Sequence, residues 1–261
     1  MSNCLDWRPD RLVVLNRRHP LTYGLEMCWV ATPWSTSGPR ELVHGGYGIV
    51  TDFMGDKLAV NRNGRVLTSL GLADNSKRIT FAAPTVAAGL SRITVAAITR
   101  LTDTARTSRR IVGLRSGSTN RWWLGCSPTS GKWGFLVYTI SDGEVNTSSE
   151  FNLNNHCVVG TYDGLTMSIY VDGIRRDGSN HSDPGAISSS TNPVALFNTY
   201  DGTWNNYPGE VSGVFVWNRA LCPKCVAQFS ARPWDLLRAP YMPQGKSPTL
   251  TTQQANWFIV H

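Results

Sequence analysis

Acidic side chains are scarce in this chain of 261 residues. Charged residues make up only 16% of it, and it has five glutamates: Glu26, Glu41, Glu144, Glu150 and Glu210. Glycosidic cleavage needs two carboxylates on one face, one to donate a proton and one to attack or stabilise. No glutamate here has a second acid two or four residues away on a convincing strand, and Asp103 and Asp142 read as loop residues. Enzymatic activity is therefore not expected. Other reactive patterns are missing too: there is no Gly-x-Ser-x-Gly elbow, no phosphate loop and no His-Glu-x-x-His. His19, His44, His156, His181 and His261 stand apart, and His156 reads as an edge residue at a strand start. No apolar run is long enough to span a bilayer, so no membrane partner is expected. Residues 1–9 hold no apolar stretch of the kind a secretory leader needs. Synthesis in a reducing cytoplasm is the resulting expectation, with the six cysteines as free thiols. Cys222-Pro-Lys-Cys225 has no second pair at zinc-site spacing and no βαβ context.

What is present points to an all-β fold. Glycine (24) and proline (14) are frequent, and 41% of residues are hydrophobic, enough for a core without staples. Strands are expected at 25–30, 78–81, 93–99, 109–114, 121–126, 132–138, 158–162, 166–171, 194–197 and 209–217. Turn residues separate them at spacings typical of a sandwich or barrel. Residues 158–176 read as a meander, with Asp163-Gly164 and Asp172-Gly173 as tight turns. Between those turns Met167, Ile169 and Val171 face one side, and Ser168 and Tyr170 the other. One short helix is expected over 223–231, with Pro223 in its first turn and Val226, Ala227 and Phe229 as an apolar face. The tryptophans at 122 and 123 must face opposite sides of a strand, one in the core and one exposed.

Two motifs carry a resemblance. Residues 160–176, Gly-Thr-Tyr-Asp-Gly-Leu-Thr-Met-Ser-Ile-Tyr-Val-Asp-Gly-Ile-Arg-Arg, resemble the signature hairpin of laminin-G-like, concanavalin A-like jelly rolls. Residues 213–221, Gly-Val-Phe-Val-Trp-Asn-Arg-Ala-Leu, resemble that family's last core strand and its exit into a short helix. The run 231–237, Ala-Arg-Pro-Trp-Asp-Leu-Leu, resembles phage-encoded and prophage-encoded members. The likeness extends over about residues 25–240. It implies a two-sheet antiparallel jelly-roll sandwich with ligands on the concave face or in rim loops, often beside calcium. Residues 1–24 and 241–261 then read as N-terminal and C-terminal arms.

The expectation that follows is a non-enzymatic structural virion protein of a bacteriophage, made in the host cytoplasm and assembled as a capsid decoration or tail-attached module. Its partners would be other virion proteins and further copies of itself. Trp7, Arg17, Arg18, Trp257, Phe258, Ile259 and Val260 are the arm residues expected to dock on them. Host-surface glycans are the expected small ligand, held in a rim loop by Tyr200, Asp201, Trp204, Asn205, Asn206 and Tyr207, because exposed aromatics stack on sugar rings. A lectin-like receptor-binding module of a tail fibre is the alternative. Nucleic acid, suggested by the net charge of +7, is a third reading; the arginines are scattered and form no basic helix or tail. No cofactor or metal is expected. Calcium on Asp201, Asn205 and Asn206 is the option left open, since Asp163 and Asp172 are better explained as turn formers.

Overall fold

Alternating polarity along the strands gives two sheets that bury one shared layer and a second layer outside one of them. In the computed structural model the described residues are 13–31, 39–51, 66–67, 78–82, 86, 89–102, 109–116, 119–127, 131–139, 142–148, 152–177, 181–182, 184–199, 207 and 209–238. Their strands are β1 (Val14–Leu15), β2 (Leu25–Val30), β3 (Ile49–Thr51), β4 (Val66–Leu67), β5 (Arg78–Phe81), β6 (Ile93–Leu101), β7 (Arg109–Ser116) and β8 (Thr119–Cys126). They continue as β9 (Trp133–Tyr138), β10 (Asp142–Asn146), β11 (Asn155–Tyr162), β12 (Thr166–Val171), β13 (Ile174–Arg175), β14 (His181–Ser182), β15 (Val194–Leu196), β16 (Gly209–Trp217) and β17 (Leu237–Arg238). Helix α1 (Pro223–Ala231) lies between β16 and β17.

One sheet has seven strands in the order β10-β9-β8-β7-β15-β5-β3. The other has eight, along the path β13-β12-β11-β6-β16-β2, with β14 paired to β12 and β4 to β16. All these pairings are antiparallel. This is the expected jelly-roll sandwich.

The shared layer contains Val95 and Ala97 of β6, Val158 and Tyr162 of β11, and Met167 and Ile169 of β12. These meet Trp122, Leu124, Phe135 and Val137 from the seven-stranded sheet. At Gly160 the two sheets approach so closely that an added Cβ would lie 2.3 Å from two ring carbons of Phe135. The Asp-Gly turns form as the sequence implies. Asp163 Oδ1 accepts from the N–H groups of Leu165 (3.0 Å) and Thr166 (2.7 Å). Asp172 (φ 53°) and Gly173 (φ 79°) are both left-handed, the conformation a two-residue hairpin turn requires.

The second layer covers the outside of the eight-stranded sheet. Ala96, Ile98, Val159, Tyr170, Phe215 and Trp217 lie there under Val226 and Phe229 of α1, Trp234, Leu236 and Leu237. Ala227 is exposed, so the buried helix face is Val226, Phe229 and Ser230.

The N-terminal stretch departs from its reading as an arm. Val13, Leu15 and Leu21 are buried in this outer layer, and β1 pairs with β17. Trp217 Nε1 donates to Leu21 O (2.6 Å), and Arg219 Nε donates to Tyr23 O (2.8 Å). Asn218 Nδ2 donates to Glu26 Oε1 (2.6 Å). The Asn-Arg-Ala-Leu exit motif is thus a clasp that fastens residues 21–26 to the end of β16. Arg17 donates from Nη2 to Val43 O (2.8 Å), while Arg18 is exposed. Residues 13–24 therefore belong to the body, because their apolar side chains have a sheet face to cover. Trp7 and residues 257–260 lie outside the described residues, as do the remainder of both expected arms.

Candidate functional site

The outward face of the seven-stranded sheet carries a different set of side chains from its core face. Trp122, Leu124 and Cys126 of β8 enter the shared core, so Trp123 points the other way. Its ring is nonetheless buried, against the expectation of an exposed tryptophan at this pair. The Arg110 guanidinium from β7 lies 3.4 Å from its centroid, a cation–π stack. Neighbouring glycines make room for the ring: Gly113 is directly opposite in register, and a Cβ on Gly134 would come within 2.8 Å of Trp123 Cη2. On the same sheet the Arg121 guanidinium lies 5.5 Å from the Tyr138 ring centroid.

Beside this stack is a shallow depression of about 10 Å³ whose lining includes Arg110, Gly113, Arg115, Asn120, Trp123, Asn198 and Thr199. Register places Arg115 opposite Asn120, next to an irregularity between Leu114 and Arg115 that turns the strand ends. The Arg115 carbonyl is held by Ser190 Oγ (3.1 Å) and Asn192 Nδ2 (2.8 Å), which fixes the backbone under the side chain.

The expected rim loop starts at this depression. Asn198 and Thr199 line it, and residues 200–206 follow directly. Tyr200, Asp201, Trp204, Asn205 and Asn206 lie outside the described residues. The neck of the loop is closed by Tyr207 N–H donating to Phe197 O (2.9 Å) and Phe197 N–H donating to Ile111 O (2.8 Å).

Tyr207 is a correction to the rim reading: its side chain is 0% exposed and lies in the shared core. Thr99 Oγ1 donates to Glu210 O (2.8 Å), which leaves the Tyr207 hydroxyl as the donor to Thr99 Oγ1 (2.7 Å). Burial pushes its pKa well above the usual tyrosine range. The ring is an anchor for the loop and has no surface for a sugar. Polar neighbours in sequence concealed this, and Asn198, Thr199, Arg115 and Asn120 were missed for the same reason. Nothing local marks which face of a strand points outward at its end.

Two readings of titratable residues are sharpened. His156 is bracketed: Nδ1 lies 2.8 Å from Asp172 Oδ2, and Nε2 lies 2.8 Å from Asn152 Oδ1. Asp172 Oδ1 also accepts from Cys157 N–H (2.9 Å), so the trio ties β11 to the β12–β13 turn. Asp142, expected in a loop, is the first residue of edge strand β10, two positions before Glu144. Short and polar, this strand lacks β-branched character at its start, and its pairing with β9 decides its state.

Two further described carboxylates hold backbone. Glu41 accepts from Cys28, Val43 and His44 N–H groups, and Asp177 accepts from Ile169 N–H (2.6 Å) and Arg175 Nε (2.5 Å). Among the described residues no three His, Cys, Asp or Glu side chains group as cation ligands. Asp163 and Asp172 accept from backbone N–H groups, and Asp172 also meets His156, as expected of turn formers; Asp201, Asn205 and Asn206, the residues considered for calcium, lie outside the described residues.

A family model described as the concanavalin A-like lectin/glucanases superfamily matches residues 73–227, more than half of the chain. The chain belongs to this superfamily. Three solved structures with this lectin/glucanase fold illustrate it. Domain 4 of AbnA, an extracellular arabinanase from Geobacillus stearothermophilus solved with arabinotriose, superposes with a TM-score of 0.57 at 11% identity; the match covers 79% of this chain and 98% of that domain. Trypanosoma rangeli sialidase in complex with sialic acid gives 0.59 at 13% identity, covering 82% of this chain and 34% of the sialidase. The receptor binding domain of a botulinum neurotoxin C/D mosaic serotype gives 0.54 at 8% identity, covering 80% of this chain and 51% of that one. The chain thus spans about a third of the sialidase's length. At these identities the likenesses show the fold alone. No curated protein sequence matches the chain.

Proposed function

We propose that this chain is a non-catalytic carbohydrate-binding module that works as a component of a bacteriophage virion. The observation that carries the binding is the depression at the neck of the 200–206 loop. There Arg115 and Asn120, both part-exposed, line the depression beside the Arg110–Trp123 stack, together with the buried Asn198 and Thr199. A guanidinium and an amide, the groups of Arg115 and Asn120, are of the kind that suits the hydroxyl pattern of a sugar, while Asn198 Oδ1 accepts from Thr199 N–H (2.7 Å) and shapes the floor. In the sequence two aromatics, Tyr200 and Trp204, follow Thr199, and aromatic ring faces suit sugar stacking.

A binding role rather than cleavage is supported by what the carboxylates do. Glu41, Asp163, Asp172 and Asp177 are committed to backbone N–H groups, and the outer face around the depression carries arginine, asparagine and tryptophan. Placement in a virion rests on the likeness of the 231–237 run to phage-encoded members, and on the basic balance of the chain, which suits an acidic particle. Many weakly binding copies on one particle would together hold a host surface.

A glycan array probed with the full chain and with Arg115→Ala and Trp204→Ala variants tests the binding. The expected result is a restricted set of glycans bound by the parent chain, with at least about tenfold loss in each variant, about 1.4 kcal/mol. Absence of binding by the parent chain, or equal binding by all three, overturns the reading.

A further inference from the structure

One pair of thiols is set apart from the other described cysteines. Cys28, Cys126 and Cys157 are fully buried, and burial pushes the last two up to about 12. Cys222 is exposed and Cys225 is half-buried. Cys222 is the N-cap of α1, and its Sγ accepts from Cys225 N–H at 3.2 Å. Cys225 follows three residues later on the same side of the first turn, with Sγ 2.6 Å from Cys222 Sγ. Pro223 fixes the first helical residue between them, so the two sulfurs are brought together by the backbone.

We propose that Cys222 and Cys225 form a redox-active pair that closes reversibly to an intramolecular disulfide, with Cys222 as the attacking sulfur. The roles follow from position. Cys222 is open to solvent and sits where helix N–H groups and their dipole favour a thiolate. The hydrogen bond shared with the Cys225 thiol, then the Cys225 N–H and the Arg219 charge, hold its pKa below the ordinary thiol range. Burial and that same hydrogen bond push Cys225 up.

The oxidant is a low-molecular-weight disulfide such as oxidised glutathione. The Cys222 thiolate attacks one of its sulfurs, forms a mixed disulfide and expels one small thiolate. Cys225, giving up its proton, then attacks Cys222 Sγ and expels the second. The protein loses two electrons and two protons, and the small disulfide becomes two thiols. The bridge forms at the turn between the 218–221 clasp and the helix that roofs the outer core, so its closure fixes that junction. This inference is independent of the glycan reading.

The test uses the full chain with Cys4→Ser, because Cys4 lies outside the described residues. In native protein Ellman's reagent should titrate two of the five remaining thiols. After equilibration with excess oxidised glutathione neither should react, and the intact mass should fall by two hydrogen atoms with no glutathione attached. Cys225→Ser should trap one glutathione on Cys222, whereas Cys222→Ser should react with the reagent at least about tenfold more slowly than Cys225→Ser. The three buried thiols must stay silent until denaturant is added, which checks the fold of each variant. A dithiol that persists in excess oxidised glutathione, or a stable glutathione adduct with both cysteines present, overturns the proposal. Equal reactivity of the two single variants overturns the assignment of Cys222 as the attacking sulfur.

Discussion

Replacing Gly160 with alanine measures how tightly the two sheets are registered. The new Cβ would fall 2.3 Å from Phe135 Cδ2 and Cγ, and 2.9 Å from its Cβ. Unstrained carbon contacts lie near ~3.5–4.0 Å, so the ring or the sheet must move by more than about 1 Å. Phe135 is fully buried in the shared layer, so any shift must displace packed neighbours. Overpacking of this kind costs about 1–3 kcal/mol. Loss of glycine's unfolded-state freedom offsets about 0.4–1 of that. The single variant should therefore lose about 1–2 kcal/mol.

Phe135→Ala alone should lose about 3–5 kcal/mol. With the ring gone only the 2.9 Å contact to the Cβ at 135 remains, and adding Gly160→Ala should cost just a few tenths. The double-mutant cycle then yields a coupling of about 0.7–1.7 kcal/mol. Urea unfolding followed by tryptophan fluorescence, with slopes checked for constancy, gives the four values. Additivity within about 0.5 kcal/mol would refute the claim that Gly160 exists to admit Phe135.

Three further predictions concern other parts of the molecule. Trp217→Phe keeps the outer-layer ring but removes the bond from Nε1 to Leu21 O; it should cost about 1–3 kcal/mol and speed tryptic cleavage at Arg17 and Arg18, and an unchanged cleavage rate would count against the clasp. Stability should be flat from neutral pH to about 8.5 and fall above it. The sign follows from Cys126 and Cys157, raised to about 12, and Tyr207, also raised. Each is neutral in the fold and ionises first in the unfolded chain, so thermal midpoints that rise between pH 9 and 11 would contradict their burial. Asp172→Ala strips partners from Cys157 N–H and His156, and should lose about 1–3 kcal/mol. Asp172→Asn should lose less in the same melts, because it keeps one acceptor.

The parts of this fold that were legible in the sequence are those fixed by neighbours along the chain. The 158–176 meander was readable because Asp-Gly chemistry sets both turns and the strand between them alternates cleanly. Helix α1 was readable from Pro223 and the apolar spacing. The strands lost to view are those whose reason for existing is distant. Val14–Leu15 is a strand because Leu237–Arg238 lies beside it, more than 200 residues later. Asp142–Asn146 is one because Trp133–Tyr138 offers an edge.

The site followed the same rule. The 200–206 loop could be singled out from its composition, but its neck could not: Tyr207 turns inward only because Thr99, on a strand of the other sheet, awaits its hydroxyl. The lining from Arg110, Arg115 and Asn120 depends on which face of β7 and β8 looks outward, and Arg110 capping Trp123 is a cross-strand relation that no local pattern announces.

An amide and indole NMR titration of the intact chain with its best array glycan tests the central claim most directly. The account predicts shifts concentrated at Arg115, Asn120, the Trp123 indole, Asn198, Thr199 and residues 200–206, with the sugar recovered uncleaved. Shifts centred instead on the outside of the eight-stranded sheet, or hydrolysis of the glycan that Glu144→Gln abolishes, would contradict it.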